Sequence, residues 1–141
     1  MLIGEYQHAI DEKGRIALPA KFRKVLTDGV VVTKFLDPCL HIYPVDQWRR
    51  FAERISQLPL SKIDAGRMAF SQASYCEIDS QGRILIPSSL LDKAGIKNRA
   101  VIVGLHTRGE LWSEDGWREY LSKMEGAKDS IASELGELNL L

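Results

Sequence analysis

The amino-acid sequence contains one eleven-residue motif twice, 68 residues apart. The first copy runs from Ala9 to Pro19 and the second from Glu77 to Pro87. Ile, Asp, Gly, Arg, Ile and Pro stand at the same places in both copies. An internal repeat indicates that a chain is built from copies of one supersecondary unit. This repeat therefore constrains the fold more than the composition does.

A looser similarity continues after the motif. Residues 31–33 correspond to residues 101–103 after a slip of two positions, and residues 46–48 correspond to residues 115–117. Phe51 then corresponds to Tyr120. Because order and spacing both persist, we expect two full copies of the unit.

Each motif predicts a strand, a tight turn and a second strand. In the first copy, residues 6–10 form the first strand, and Asp-Glu-Lys-Gly supplies the turn. Residues 15–18 alternate, so Ile16 and Leu18 share one face while Arg15 lies on the other. We therefore expect a hairpin that carries Arg15 immediately after its turn.

A short helix follows each hairpin. Pro19 and Pro87 suit the first turn of a helix. The residues expected to form its buried stripe are Phe22, Val25 and Leu26 in the first copy and Leu90, Leu91 and Ala94 in the second. Gly29 and Gly95 end these helices.

The remainder of each copy predicts further strands and helices. Apolar runs at 30–33 and 100–103 are typical of strands, with returning strands at 40–43 and 110–112. A helix is expected over 45–58 and another over 62–73. Their predicted packing residues are Val45, Trp48, Phe51, Ala52, Ile55, Leu58, Ile63, Met68, Ala69 and Phe70. A last helix carries Trp117, Tyr120, Leu121 and Met124, and the tail beyond it favours only a weak helix.

The fold class predicted from these elements is α+β with a mainly β core. A lone two-stranded hairpin is marginal in water, so the two units, or units from neighbouring chains, need to combine their strands. This favours pseudo-twofold symmetry within the chain and, more weakly, oligomerisation. We expect a first unit over 1–58, a connecting helix over 59–73, a second unit over 74–124 and an acidic tail over 125–141.

Composition excludes several classes of protein. No apolar run approaches the roughly 18–20 residues of a membrane span, and the first residues lack the pattern of a signal peptide. A cytoplasmic chain is therefore expected. Cys39 and Cys76 fit no metal or redox spacing and are expected to be reduced and at least partly buried. His8, His41 and His106 are scattered, so no enzyme, metal or cofactor is predicted.

Charge is distributed unevenly although the chain is neutral overall. From Glu110 to the end there are eight acidic and three basic residues, a net charge of −5, so the preceding part carries +5. This asymmetry is typical of a basic working surface with an acidic tail, but a plain solvated tail gives the same count.

The repeated arginine has two interpretations. Arg is the side chain that best reads guanine in the major groove, and a two-stranded ribbon fits that groove. Alternatively, Arg15 forms a structural ion pair with Asp11 across its own turn. Residues 11–24 carry five bases and two acids, and a local excess of this kind favours phosphate binding. Those bases are Lys13, Arg15, Lys21, Arg23 and Lys24.

Two other interpretations remain open. The acidic tail and the hairpins suit a protein-interaction module that binds a basic partner. RNA binding is a further alternative, although the sequence lacks an evident surface platform of aromatic residues.

The paired motif, together with the opening residues 4–11, resembles the MraZ family of bacterial transcriptional regulators. The resemblance extends to about Met124. It implies two AbrB-like swapped-hairpin domains that form a small pseudo-twofold barrel with flanking helices. It further implies ring-shaped homo-oligomers, found with the nucleoid, that bind repeated DNA boxes in the promoter of their own cell-wall and cell-division operon. The family's DNA-contacting positions fall on Lys13, Arg15, Gln81 and Arg83, supported by Lys21, Arg23 and Lys24.

Overall fold

The computed structural model describes all 141 residues and has an α+β fold. Its strands are β1 (Glu5–Ala9), β2 (Arg15–Ala17), β3 (Val30–Thr33), β4 (Leu40–Pro44), β5 (Ala73–Cys76), β6 (Arg83–Leu85), β7 (Arg99–Gly104) and β8 (Gly109–Ser113). Its helices are α1 (Ala20–Arg23), α2 (Val45–Ser56), α3 (Ile63–Ser71), α4 (Ser88–Lys93), α5 (Glu114–Gly126) and α6 (Lys128–Glu137). A 3₁₀ turn at Leu60–Lys62 precedes α3. No helix has the length and apolar character needed to cross a membrane.

The strands pair mainly between the two copies of the repeat. A six-stranded antiparallel sheet has the order β1-β7-β8-β4-β3-β5, and β2 and β6 form a separate two-stranded ribbon. Strands β1 to β4 belong to the first copy and β5 to β8 to the second. The pairing of β1 with β7 is matched by that of β5 with β3, while β4–β8 and β2–β6 join equivalent strands. This pattern is the pseudo-twofold symmetry expected from the sequence.

The sequence predicts that the two strands of each motif pair with each other, and this prediction is wrong for most of their length. Only one bridge, Ile10 to Ile16, joins β1 to β2, and the equivalent bridge in the second copy joins Ile78 to Ile84. Beyond it, each strand pairs with the other copy. A unit that paired only within itself would leave unpaired strand edges and a thin core, so exchange between the copies satisfies more backbone groups.

One hydrophobic core of 20 buried residues draws on both copies. Ile16 and Ile84, which are opposite each other in the ribbon, are fully buried at its centre. The predicted stripe of α4 is confirmed, as Leu90, Leu91 and Ala94 are all buried.

The buried stripe predicted for α1 is partly wrong. Phe22 and Leu26 are buried, but Val25 is 42% exposed. The helix has a single turn that ends at Arg23, so helical spacing does not govern the position of Val25.

The longer helices cover the sheet less completely than their periodicity predicts. On α2, Trp48 and Phe51 pack with Tyr43 in an aromatic cluster. In α3 only Ala69 is buried. Other residues predicted to pack are exposed by 41–45%: Leu58, Ile63, Met68 and Phe70. On α5, Trp117 packs against Trp112 of β8, and none of its residues is fully buried. The tail, for which only a weak helix was expected, forms the ten-residue helix α6.

Candidate nucleic-acid interface

The two repeated turns have the same hydrogen-bonding geometry. Asp11 Oδ1 accepts the backbone N–H groups of Lys13 and Arg15, both at 2.9 Å. In the second copy, Asp79 Oδ1 accepts those of Gln81 and Arg83, again at 2.9 Å. The aspartate is therefore part of the turn itself in both copies. We call residues 11–15 the first tip and residues 79–83 the second tip.

Each tip also fixes its arginine. Arg15 Nε donates to Asp11 Oδ2 at 2.7 Å, and Arg83 Nε donates to Asp79 Oδ2 at 2.9 Å. The structural ion pair considered from the sequence is thus present twice. It occupies Nε alone, because the terminal Nη groups make no hydrogen bond within the chain. The aspartate therefore holds the Nε atom of each arginine, while the two Nη groups are free to donate hydrogen bonds.

These hydrogen bonds perturb the aspartates. The backbone N–H of Arg15, followed by its side chain and the N–H of Lys13, holds the pKa of Asp11 below its ordinary value. The equivalent donors from Arg83 and Gln81 lower the pKa of Asp79. Both carboxylates are therefore charged at neutral pH, and each tip keeps its ion pair.

The ribbon places both arginines on one surface. Arg15 is opposite Leu85, and Arg83 is opposite Ala17, so the arginines are diagonal neighbours on the face away from Ile16 and Ile84. Diagonal neighbours have side chains that start about 7–8 Å apart. Arg15 and Arg83 line one surface cleft of about 390 Å³. Their side chains are 33% and 28% exposed.

The tips are joined to the opposite copy by backbone contacts. Leu18 N–H donates to Gly82 O at 2.9 Å, and Ile86 N–H donates to Gly14 O at 3.0 Å. Gly14 has a φ of +89°, and a Cβ there would lie 2.8 Å from the carbonyl oxygen of Ile86. The close approach of the two copies therefore needs a glycine at the first tip.

Helix α1 places Arg23 beside the second tip, not the first. Arg23 Nε donates to Leu18 O at 3.0 Å, and its side chain fills the space where a Cβ on Gly82 would be. Lys21 and Lys24 are exposed. The sequence groups these three bases with the first tip because they follow it in the chain. The exchange of strands between copies moves Arg23 to the other tip.

Among the predicted site residues, Arg15, Arg83 and Arg23 are brought to one ribbon, with Lys13 and Gln81 exposed in the two turns. A second group of polar residues was missed. The structure assembles a set of metal-ligating side chains, here called the Cys39 cluster: Asp37, Cys39, His41 and Glu110. Although the histidines are scattered along the sequence, the fold brings His41 close to Cys39 and two carboxylates. The sequence signal for this cluster was the placing of Asp37, Cys39 and His41 at every second position. Glu110 is distant in sequence, so no local pattern associates it with them.

Fold and site together define a duplicated α+β protein with a two-stranded, arginine-bearing ribbon between its copies. The family model described as "MraZ protein, putative antitoxin-like" matches residues 1–70 and again residues 69–135. The chain belongs to the MraZ family. The "Transcriptional regulator MraZ" of Natranaerobius thermophilus is 43% identical over 99% of this chain and 100% of its own length. The proteins of the same name from Alkaliphilus oremlandii and Thermoanaerobacter pseudethanolicus are 46% and 44% identical over the same shares. A solution structure of PHS018 from Pyrococcus horikoshii aligns with a TM-score of 0.34 at 16% identity, over 79% of this chain and 88% of that one, which is too distant to support any inference.

Proposed function

We propose that this protein is a DNA-binding transcriptional regulator that reads double-stranded DNA with the β2–β6 ribbon. The observation that carries the proposal is the pair of aspartate-fixed arginines on one exposed face. The names of its relatives support the same function. The swapped-hairpin barrel implied by the family resemblance is supported by the pairing of β1 with β7 and of β2 with β6.

The chemistry of the ribbon suits base reading. An arginine can donate two parallel hydrogen bonds to O6 and N7 of guanine. Because Asp11 and Asp79 already hold the Nε atoms, less side-chain freedom is lost on binding. Lys13 and Gln81 extend the contacts at the tips, and the bases of α1 attract the phosphate backbone. One arginine can therefore form the ion pair with its aspartate through Nε and contact a guanine through its Nη groups.

We further propose that the target is a set of repeated boxes in the promoter of the protein's own cell-wall and cell-division operon. Ring-shaped homo-oligomers would bind several boxes at once, and linked modules gain about 10²–10⁴-fold in affinity. Apolar side chains exposed on and near α3, which include Leu60 and Phe70, are suited to contacts between subunits. Such a protein would act in the cytoplasm at the nucleoid, with no membrane or small-molecule substrate as partner.

The test is a fluorescence-anisotropy titration with a duplex from upstream of the protein's own gene and a scrambled duplex. The double variant Arg15→Ala/Arg83→Ala is compared with the wild type at several salt concentrations. Each bidentate arginine–guanine contact contributes about 1–3 kcal/mol, so each loss should weaken specific binding by about 5–150-fold. Wild-type binding should weaken with salt.

The matched control is Arg49→Ala/Arg50→Ala. It removes the same charge from exposed positions on α2, which packs on β3 and β4 and not on the ribbon. The control should retain the preference for the upstream duplex. If the wild type shows no preference, or the ribbon variant binds as the control does, the arginines are structural and a protein partner becomes the better hypothesis.

The single variants rank the two tips. We expect Arg15→Ala to cost at least as much as Arg83→Ala, since Lys13 adds a charge that Gln81 lacks. A clearly larger loss for Arg83→Ala would contradict this order. It would mean that Arg23, which lies against Gly82, makes the second tip the stronger one.

A further inference from the structure

The Cys39 cluster lies where the two copies of the repeat meet in the main sheet. His41 lies in β4, and Asp37 and Cys39 lie in the bend that leads into this strand. Strand β8 of the second copy pairs with β4, and its register puts Glu110 directly opposite His41. One ligand atom from each of the four residues lies within 4.8 Å of all the others.

The cluster is a set of donors and acceptors with excess negative charge. His41 Nε2 and Asp37 Oδ2 are 2.9 Å apart, and Trp112 Nε1 donates to Glu110 Oε1 at 3.0 Å. Asp37 and Glu110 bring two carboxylates to the cluster, and Arg108, which acts on Tyr43 together with them, offsets part of their charge. Cys39 is fully buried and His41 is 95% buried. A divalent cation would neutralise this charge where water cannot fully solvate it.

A buried imidazole nitrogen in the cluster has no partner. His41 Nδ1 is one of only two buried side-chain nitrogen or oxygen atoms in the chain without a hydrogen bond. Protein interiors leave few such atoms unpaired, and each needs a reason. With Nε2 against the Asp37 carboxylate, the ring has a lone pair that no protein donor uses. Carboxylates orient metal-binding histidines in this way, so Asp37, while it holds Nε2, is the orienting group, and Cys39, Glu110 and His41 Nδ1 are the ligands.

The kinds of ligand select the kind of ion. Thiolate, imidazole and carboxylate together suit zinc, whereas calcium and magnesium prefer oxygen ligands alone. Tetrahedral zinc with bonds of about 2.0–2.3 Å needs ligand atoms about 3.3–3.8 Å apart, so ligand atoms at the 4.8 Å limit have to approach by about 1–1.5 Å. A cleft of about 350 Å³, lined by Asp37 and Glu110 below α5, gives an ion access from solvent.

We propose that the Cys39 cluster binds one zinc-type divalent cation and thereby links β4 of the first copy to β8 of the second. On binding, the Cys39 thiol gives its proton to the solvent and its sulfur coordinates the ion. The ion then joins the copies in the main sheet, away from the β2–β6 ribbon. The proposal is independent of the proposed DNA-binding function, since none of its ligands lies in the tips.

The test uses the full-length protein after treatment with a chelator, titrated with Zn²⁺ alone and separately with Co²⁺ as a spectroscopic probe. We expect one equivalent to bind, about one proton to be released, and the melting temperature to rise with metal concentration. Co²⁺ should give a thiolate charge-transfer band and the intense visible bands of tetrahedral coordination.

Three variants assign the ligands. Cys39→Ser should abolish the charge-transfer band. Asp37→Asn changes an exposed side chain and so should fold normally, yet weaken Zn²⁺ binding by tenfold or more. Cys76→Ser, which removes the other buried thiol, should bind Zn²⁺ as the wild type does. Absence of stoichiometric binding by the folded wild type would overturn the proposal, as would binding that neither Asp37→Asn nor Cys39→Ser alters.

Discussion

Replacement of Gly14 by alanine should destabilise the protein through the contact between its two copies. Gly14 has a φ of +89°, a backbone conformation that costs an alanine about 1–2 kcal/mol. The new Cβ would lie 2.8 Å from Ile86 O, which is backbone and cannot rotate away. Relief requires the strands to separate, at the expense of the hydrogen bond from Ile86 N–H to Gly14 O, worth about 0.5–1.5 kcal/mol. The expected total is about 1.5–3.5 kcal/mol.

Gly95→Ala is the matched control. Gly95 has a φ of +66°, but a Cβ there meets nothing within 4 Å. Its loss should therefore be the backbone cost alone, about 1–2 kcal/mol. Equilibrium urea unfolding followed by tryptophan fluorescence measures both variants. With a slope of about 2 kcal/mol per molar urea, the midpoint should fall by about 0.8–1.8 M for Gly14→Ala and by about 0.5–1 M for Gly95→Ala.

Equal losses in the two variants would refute the reasoning, because the contact with Ile86 would then contribute nothing. The variants also differ in where the strain acts. Gly14→Ala distorts the first tip, so it should weaken DNA binding even without urea, where the variant is fully folded. Gly95→Ala, outside both tips, should leave DNA binding unchanged.

Two further predictions follow from the core and from the tips. Phe22→Ala should lower the free energy of unfolding by about 3–5 kcal/mol in the same urea assay, since the ring is 1% exposed. Val25→Ala should change it by no more than about 0.5 kcal/mol. Similar losses in the two variants would show that α1 continues beyond its single turn. The backbone N–H groups of Arg15 and Arg83, and then their side chains, lower the pKa values of Asp11 and Asp79, so these contacts stabilise the fold above the ordinary pKa of 3.8 and their contribution is lost as the pH falls through the folded pKa. Wild type should therefore be more stable than Asp11→Asn/Asp79→Asn at neutral pH, and the two should converge in acid unfolding below pH 3.8; a constant difference down to low pH would contradict this.

The local features of the chain could be predicted because short-range chemistry decides them. The Asp-x-x-Gly-Arg turn, the arginine that follows it and the strand runs all depend on residues within a few positions of one another. The family resemblance rests on the same short motifs, and the comparisons confirm it. The buried stripe of α4 was predicted correctly because Leu90 and Leu91 lie within one short helix and Ala94 caps its C-terminal end.

The partner of each strand could not be predicted from the sequence. A β-strand leaves its backbone donors and acceptors to be satisfied by another segment, and the sequence does not say which one. The nearest segment in the chain was the natural expectation for β2, but burial of Ile16 against Ile84 favours the distant β6.

The sequence by itself determined that there are two copies of one unit, that each has an aspartate-held turn, and that each turn carries an arginine. The family resemblance implied an exchange of strands, but only the tertiary structure decided which strands pair between the copies. That exchange puts Arg15 and Arg83 on one face, places Arg23 beside Gly82, and brings Glu110 to Cys39 and His41. The physical reason is that strand pairing and core burial act between segments far apart in the chain, where no local pattern specifies the partner.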